Sequence, residues 1–94
     1  MASVSLDSSI VAARDTVYRQ LEGEAIVLDL NSGIYFGLNP AGSRIWELLQ
    51  NATTVRGVCD QMEQEFAVDR ADLERDVVGL VGRLLDKKLV ELIA

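Results

Sequence analysis

The chain contains no histidine, one cysteine and one proline among its 94 residues. Without histidine it lacks the commonest general base and the usual partner of a serine or cysteine nucleophile. The single Cys59 excludes an intramolecular disulfide framework, and a zinc site of cysteine and histidine ligands has no members to build it. These absences argue against an enzyme and predict no cofactor and no metal.

Long apolar runs and excess positive charge are also missing. No stretch approaches the ~20 apolar residues of a membrane span. The N-terminus lacks the basic start and apolar core of a secretion signal, so we expect a cytoplasmic protein without membrane contact. Fifteen acidic against nine basic side chains give a net charge of −6, which disfavours binding to nucleic acid and to anionic membranes.

What is present suits one small folded domain spanning residues 1–94. Apolar residues make up 49% of the chain and charged residues 26%, as in ordinary globular domains. Residues 1–9 are polar and rich in serine, so we expect them to be frayed. There is no internal repeat and no linker.

Strand patterns come first along the chain. Thr16–Gln20 alternates, and Ala25–Leu30 is an apolar run rich in β-branched residues, both typical of strands. Asn31, Ser32 and Gly33 then supply a tight hairpin before Ile34–Leu38. Alternation predicts that Ile34, Phe36 and Leu38 face the core, and that Tyr35 and Gly37 face the other side.

Three helix patterns follow the strands. Asn39 and Pro40 predict the start of a helix that runs until Asn51. Thr53 or Thr54 caps a second helix, and Asp69 opens a third. The apolar positions expected to face the core are Ile45, Trp46, Leu48, Leu49, Val55, Val58, Cys59, Met62, Phe66, Leu73, Val77, Leu80, Val81 and Leu84. Strands followed by helices predict an α+β fold, while the apolar tail from Leu89 to Ile93 fits either a packed coil or a further strand.

Few residues remain as candidates for chemistry. Cys59 lies on the apolar stripe of the second helix and is best interpreted as a packed thiol. Asp72 and Asp76 stand one turn apart on the third helix, but Arg75 lies between them and a solvated face is the simpler interpretation. No glycine opens a phosphate-binding helix.

The uncharged strand Ile34–Leu38 carries the strongest functional hint. If it lies at a sheet edge, its free backbone groups can accept a peptide as a further strand. Burial within a sheet explains the missing charges equally well, and both interpretations stay open at this point. The same edge would also permit pairing with a second copy, so a homodimer is compatible with the sequence.

The run LDLNSGIYFGLNPAGSRIWELL, from Leu28 to Leu49, resembles the signature of PqqD-like peptide chaperones, also called RiPP recognition elements. The matching residues are Gly33, Tyr35, Leu38, Asn39, Gly42, Ile45 and Trp46, with Thr54, Val55, Phe66, Asp76, Val77, Leu84, Leu89 and Val90 further along. The resemblance covers about residues 16 to 92. The stretch GIYFGLNPAGSRIW resembles the stand-alone proteins of lasso-peptide clusters, or a generic member of the family, more than the quinone-pathway chaperone.

This resemblance implies a winged helix-turn-helix-like fold, with a three-stranded antiparallel sheet packed on three α-helices. It also implies a function: binding the leader segment of a ribosomally made precursor peptide and presenting it to separate enzymes, such as a leader peptidase, a cyclase or a radical enzyme. The implied peptide-binding residues are Gly33, Ile34, Tyr35, Phe36, Gly37, Leu38, Asp76, Leu80, Val81 and Leu84, with Asp76 and Val81 favoured because they flank the apolar stripe.

The main alternative is a winged-helix DNA-binding regulator, because this architecture also reads the major groove. The charges argue against it. Between Arg70 and Asp86 three basic residues face four acidic ones, a net charge of −1, whereas a DNA reader needs a basic face.

Overall fold

The computed structural model describes residues 4–22, 24–51 and 53–93, and within them the chain forms six strands and three helices. In chain order the elements are β1 (Ser9–Ala12), β2 (Thr16–Leu21), β3 (Glu24–Asp29), β4 (Tyr35–Leu38), α1 (Pro40–Leu49), β5 (Thr53–Thr54), α2 (Val55–Glu65), α3 (Arg70–Asp86) and β6 (Val90–Ile93). The predicted α+β class is confirmed.

The three strands predicted from the sequence form one antiparallel sheet in the order β2-β3-β4. The register of the second pair sets Val27 opposite Phe36 and Leu28 opposite Tyr35. Val27 is completely buried, so this register turns one face of the sheet toward the core. Strand β3 lies in the middle, and β4 is one of the two outer strands.

A second small sheet, β5-β1-β6, was not predicted. Strand β1 begins at Ser9, within the segment expected to be frayed, and Ile10 is completely buried. Just before it, the carbonyl groups of Leu6 and Ser8 accept hydrogen bonds from Arg56 and Val55 at 2.8 and 3.0 Å. The described part of this segment, from residue 4 onward, is therefore tied to the start of α2. Residues 1–3 lie outside the described ranges.

The C-terminal tail takes the strand alternative that the sequence left open. Strand β6 pairs antiparallel with β1, and Ala94 lies outside the described ranges. The turn into it has Lys88 in the left-handed region at φ 61°. The N–H group of Leu89 donates to the carbonyl of Leu84 at 2.9 Å, which closes α3 in a Schellman motif.

All three helices start at the predicted capping residues. The side-chain oxygens of Asn39, Thr54 and Asp69 accept hydrogen bonds from backbone N–H groups in the first turns of α1, α2 and α3. Such caps satisfy donors that have no partner within the helix. Because Asn39 directly follows β4, its cap fixes the angle at which α1 leaves the sheet.

The core lies between the two sheets and the three helices. It contains Trp46, which is 3% exposed, and the predicted apolar stripe of α3. Ile34 and Phe66 depart from prediction, since they are 42% and 41% exposed. Ile34 precedes the first residue of β4, so strand alternation does not apply to it. Helix α2 ends at Glu65 and the backbone of Phe66 is extended, so this ring leaves the helical stripe. No helix in the described residues has the length and apolar character required to cross a membrane.

Candidate functional site

The hairpin between β3 and β4 is held by a compact set of hydrogen bonds around Asp29. Its carboxylate accepts bonds from the backbone of Asn31 at 3.0 Å and from the hydroxyl of Ser32 at 2.9 Å. The first of these bonds is the main reason why the pKa of Asp29 lies below its ordinary value. Gly33, at φ 76°, donates its N–H to the Asp29 carbonyl at 2.8 Å.

This turn determines which backbone groups of β4 face outward. The N–H of Asp29 donates to the carbonyl of Ile34 at 2.8 Å, so the backbone of Ile34 points toward β3. Along an antiparallel strand pair, directly opposed residues alternate between pairs that exchange backbone hydrogen bonds and pairs that do not. Phe36 and Leu38 therefore bond to β3, whereas Tyr35 and Gly37 direct their N–H and C=O groups away from it.

The outward edge of β4 has no partner among the described strands, since β4 pairs with β3 alone. It also carries no charge. The side chain of Tyr35 is 67% exposed, and a Cβ built at Gly37 would meet nothing within 4 Å. Because β4 pairs with no other described strand on this side, its backbone edge is open to a further strand, which would lie about 4.8 Å from β4.

This edge opens onto a groove of about 580 Å³ between β4 and α3, with part of α1 beneath it. We call it the β4–α3 groove. Its lining residues are Phe36, Gly37, Leu38, Asn39, Ala41, Gly42, Ile45, Arg75, Asp76, Gly79, Leu80 and Arg83. Leu38, Ile45 and Leu80 are at most 7% exposed, so they form an apolar floor, while the charged side chains stand on the α3 wall.

A smaller cavity of about 290 Å³ continues the groove toward the loop between α2 and α3. It shares Ala41, Ile45 and Asp76 with the larger groove and is also lined by the exposed side chains of Phe66 and Val68. The surface available to a bound chain is therefore longer than β4 itself.

The residues predicted to bind peptide divide into three groups. Phe36, Gly37, Leu38, Asp76 and Leu80 line the groove. Gly33, Ile34 and Tyr35 belong to the hairpin and the strand edge beside it. Val81 and Leu84 are completely buried and line no part of the groove. We therefore leave both out of the proposed contact surface.

Sequence reasoning also missed part of the α3 wall. Arg75, Gly79 and Arg83 line the groove, and they recur at four-residue spacing. Such spacing places side chains on one face of a helix, so the signal was present. The apolar stripe marks only the core-facing positions of α3, whereas the exposed flank of that stripe faces the groove.

Two of the remaining candidates for chemistry, Cys59 and Asp72, have structural roles. Cys59 is completely buried, and burial raises the pKa of its thiol, which disfavours the reactive thiolate. Asp72 pairs with Arg75 on the surface of α3. Within the described ranges, no three histidine, cysteine, aspartate or glutamate side chains are grouped as metal ligands.

Comparison with solved structures finds the same fold in two leader-peptide complexes. TbiB1 in complex with the TbiA(beta) leader peptide is 34% identical, has a TM-score of 0.79, and the match covers 89% of this chain and 98% of that chain. Lasso peptide synthetase B1 complexed with the leader peptide is 26% identical, has a TM-score of 0.76, and the match covers 87% and 96%. The comparison with curated proteins found no match. The family model of coenzyme PQQ synthesis protein D (PqqD) matches residues 24–90, and the chain belongs to this family.

Proposed function

We propose that this chain binds the leader segment of a ribosomally made precursor peptide by adding it as a strand to β4. The observation that carries the proposal is the open, uncharged edge of β4 beside the β4–α3 groove. In this mode the backbone groups of Tyr35 and Gly37 hold the peptide, while the groove receives alternate side chains. The two structural relatives are each in complex with a leader peptide, which supports a leader peptide as the ligand.

The proposed contact surface follows from the backbone directions and the groove lining. It comprises the strand segment 33–38 together with Asp76 and Leu80 on α3. A bound strand would cover the apolar floor made by Leu38, Ile45 and Leu80. These three side chains are already at most 7% exposed, so the backbone hydrogen bonds along the edge of β4 supply the affinity, and the groove supplies specificity by receiving alternate side chains of the peptide.

The chain then presents the bound precursor to separate enzymes and catalyses nothing itself. The absence of histidine from the sequence and the buried thiol of Cys59 support this division of labour. The two relatives are named as lasso peptide synthetase B1 and TbiB1, which favours a lasso-type pathway over a quinone-type one. The proposed recipients are therefore a leader peptidase and a cyclase.

No observation favours the alternative of a DNA-binding regulator. Two of the three arginines of α3 are neutralised by carboxylates, Arg70 by Asp60, Glu63 and Glu74 and Arg75 by Asp72. The helix therefore presents no basic face of the kind that contacts phosphates.

Isothermal titration tests the proposal directly. The purified chain is titrated with a synthetic peptide covering the leader of the precursor encoded beside its gene. A scrambled peptide of the same composition is the control. We expect saturable one-to-one binding of the leader only. Equal binding of both peptides, or binding of neither, would contradict the proposal. Light scattering of the free protein shows separately whether the chain forms a dimer through β4.

A further inference from the structure

Four of the five arginines in the three helices form ion pairs with described residues. Arg44 pairs with Glu65, Arg56 with Asp7, Arg70 with Glu74 and Arg75 with Asp72. Arg83 makes no ion pair within residues 4–22, 24–51 and 53–93. It is also one of the two arginines that line the β4–α3 groove, and the other, Arg75, is held by Asp72.

Asp76 is in the same situation with the opposite charge. It is exposed, lines the groove, and forms no ion pair with any described residue. Asp76 and Arg83 are seven residues apart, which is two helical turns and about 10 Å along α3. Between them lie Gly79 and Leu80, and a Cβ at Gly79 would meet nothing within 4 Å. The α3 wall thus presents the carboxylate of Asp76 and the guanidinium of Arg83, both unpaired among the described residues and separated by the uncharged residues Gly79 and Leu80.

We infer that Asp76 and Arg83 read two opposite charges on the bound peptide and so fix the direction in which it lies. This inference rests on the proposed function. The peptide would carry an acidic side chain that reaches Arg83 and a basic one that reaches Asp76. A strand rises about 3.3 Å per residue with alternate side chains on one face, so the two are two or four residues apart. A peptide inserted in the opposite direction would meet like charges at both ends.

Helix stability offers a competing reason for Arg83. It lies in the last turn of α3, where a positive charge is favourable toward the negative end of the helix dipole. That role would not require a position in the groove. Lys87, the C-cap residue of the same helix, provides a matched control, because it offers the same charge near the same helix end but does not line the groove.

The experiment compares Arg83→Gln with Lys87→Gln and Asp76→Asn with Asp86→Asn, each pair changing the net charge equally. Binding of the synthetic leader is measured by titration at low and high salt. We expect Arg83→Gln and Asp76→Asn each to weaken binding about threefold to fivefold at low salt, with the loss shrinking at high salt. The two control variants should bind like the unmodified chain.

Peptide variants identify the partner charges. Replacing the correct acidic residue of the leader should remove the effect of Arg83→Gln, as in a double-mutant cycle. The inference is overturned if the unmodified chain binds the leader and Arg83→Gln binds it within twofold, or if Lys87→Gln loses as much. If the unmodified chain binds no leader, the proposed function itself fails, and the two outcomes are distinct.

Discussion

Replacing Tyr35 by proline removes one backbone donor from the open edge of β4. The N–H of Tyr35 points away from β3, so proline takes no hydrogen bond from the protein's own sheet. Proline is tolerated in edge strands when the lost N–H faces outward. The variant should therefore fold, and its defect should appear only when a peptide adds to the edge.

The expected loss of affinity follows from the carbonyl group that the peptide would leave without a donor. A buried polar group that loses its partner costs about 1–3 kcal/mol. At 1.4 kcal/mol per factor of ten, the dissociation constant rises about fivefold to 150-fold. The proline ring would also occupy space that the added strand needs, so we expect a loss nearer the upper end.

Titration with the leader peptide measures this loss, and circular dichroism with thermal unfolding confirms the fold. Tyr35→Ala is the matched control, because it removes the exposed ring but keeps the N–H group. We expect Tyr35→Ala to bind more tightly than Tyr35→Pro. If the folded proline variant binds the leader as well as the alanine variant, strand addition at this position is refuted.

Three further predictions concern the groove and its supports. Gly79→Ala and Gly82→Ala should each stabilise α3 by up to about 1 kcal/mol in urea unfolding. Only Gly79→Ala should weaken leader binding, because Gly79 lines the groove and Gly82 does not. Equal leader binding by the two variants would contradict the proposed groove. The pKa of Glu65 is lowered to about 2, mainly by its hydrogen bonds from Arg44. Stability from this pair should therefore be complete above pH 4.5 and lost as pH falls toward 2. Urea unfolding across this pH range measures the loss, and an equal loss in Arg44→Gln would contradict its assignment to this pair. Asn39→Ala should lower stability by about 1 kcal/mol through loss of the α1 cap, and an unchanged melting temperature would argue against that role.

Local signals in the sequence predicted most of the sheet and all three helix starts. The hairpin was predicted from Asn31, Ser32 and Gly33, because a tight turn needs a positive φ and glycine adopts it readily. The helix caps were predicted from Asn39 and Thr54, whose side chains accept hydrogen bonds from free N–H groups. These features depend on residues within a few positions of each other, which is why the sequence alone was sufficient.

The second sheet depends on partners far apart in the chain. Strand β1 pairs with β5 and β6 across more than forty residues, and no local pattern in the serine-rich start shows this. Packing also determines which residues of α3 line the groove. Val81 and Leu84 belong to the same helix as Asp76, yet only the three-dimensional arrangement separates the buried side chains from the groove wall.

Amide hydrogen exchange at β4 is the most direct test of strand addition. In the free protein the N–H of Phe36 should exchange slowly, because it bonds to β3, while those of Tyr35 and Gly37 should exchange fast. With saturating leader peptide we expect Tyr35 and Gly37 to become protected and Phe36 to change little. Unchanged fast exchange at both positions in the saturated complex would contradict binding of the peptide along this edge.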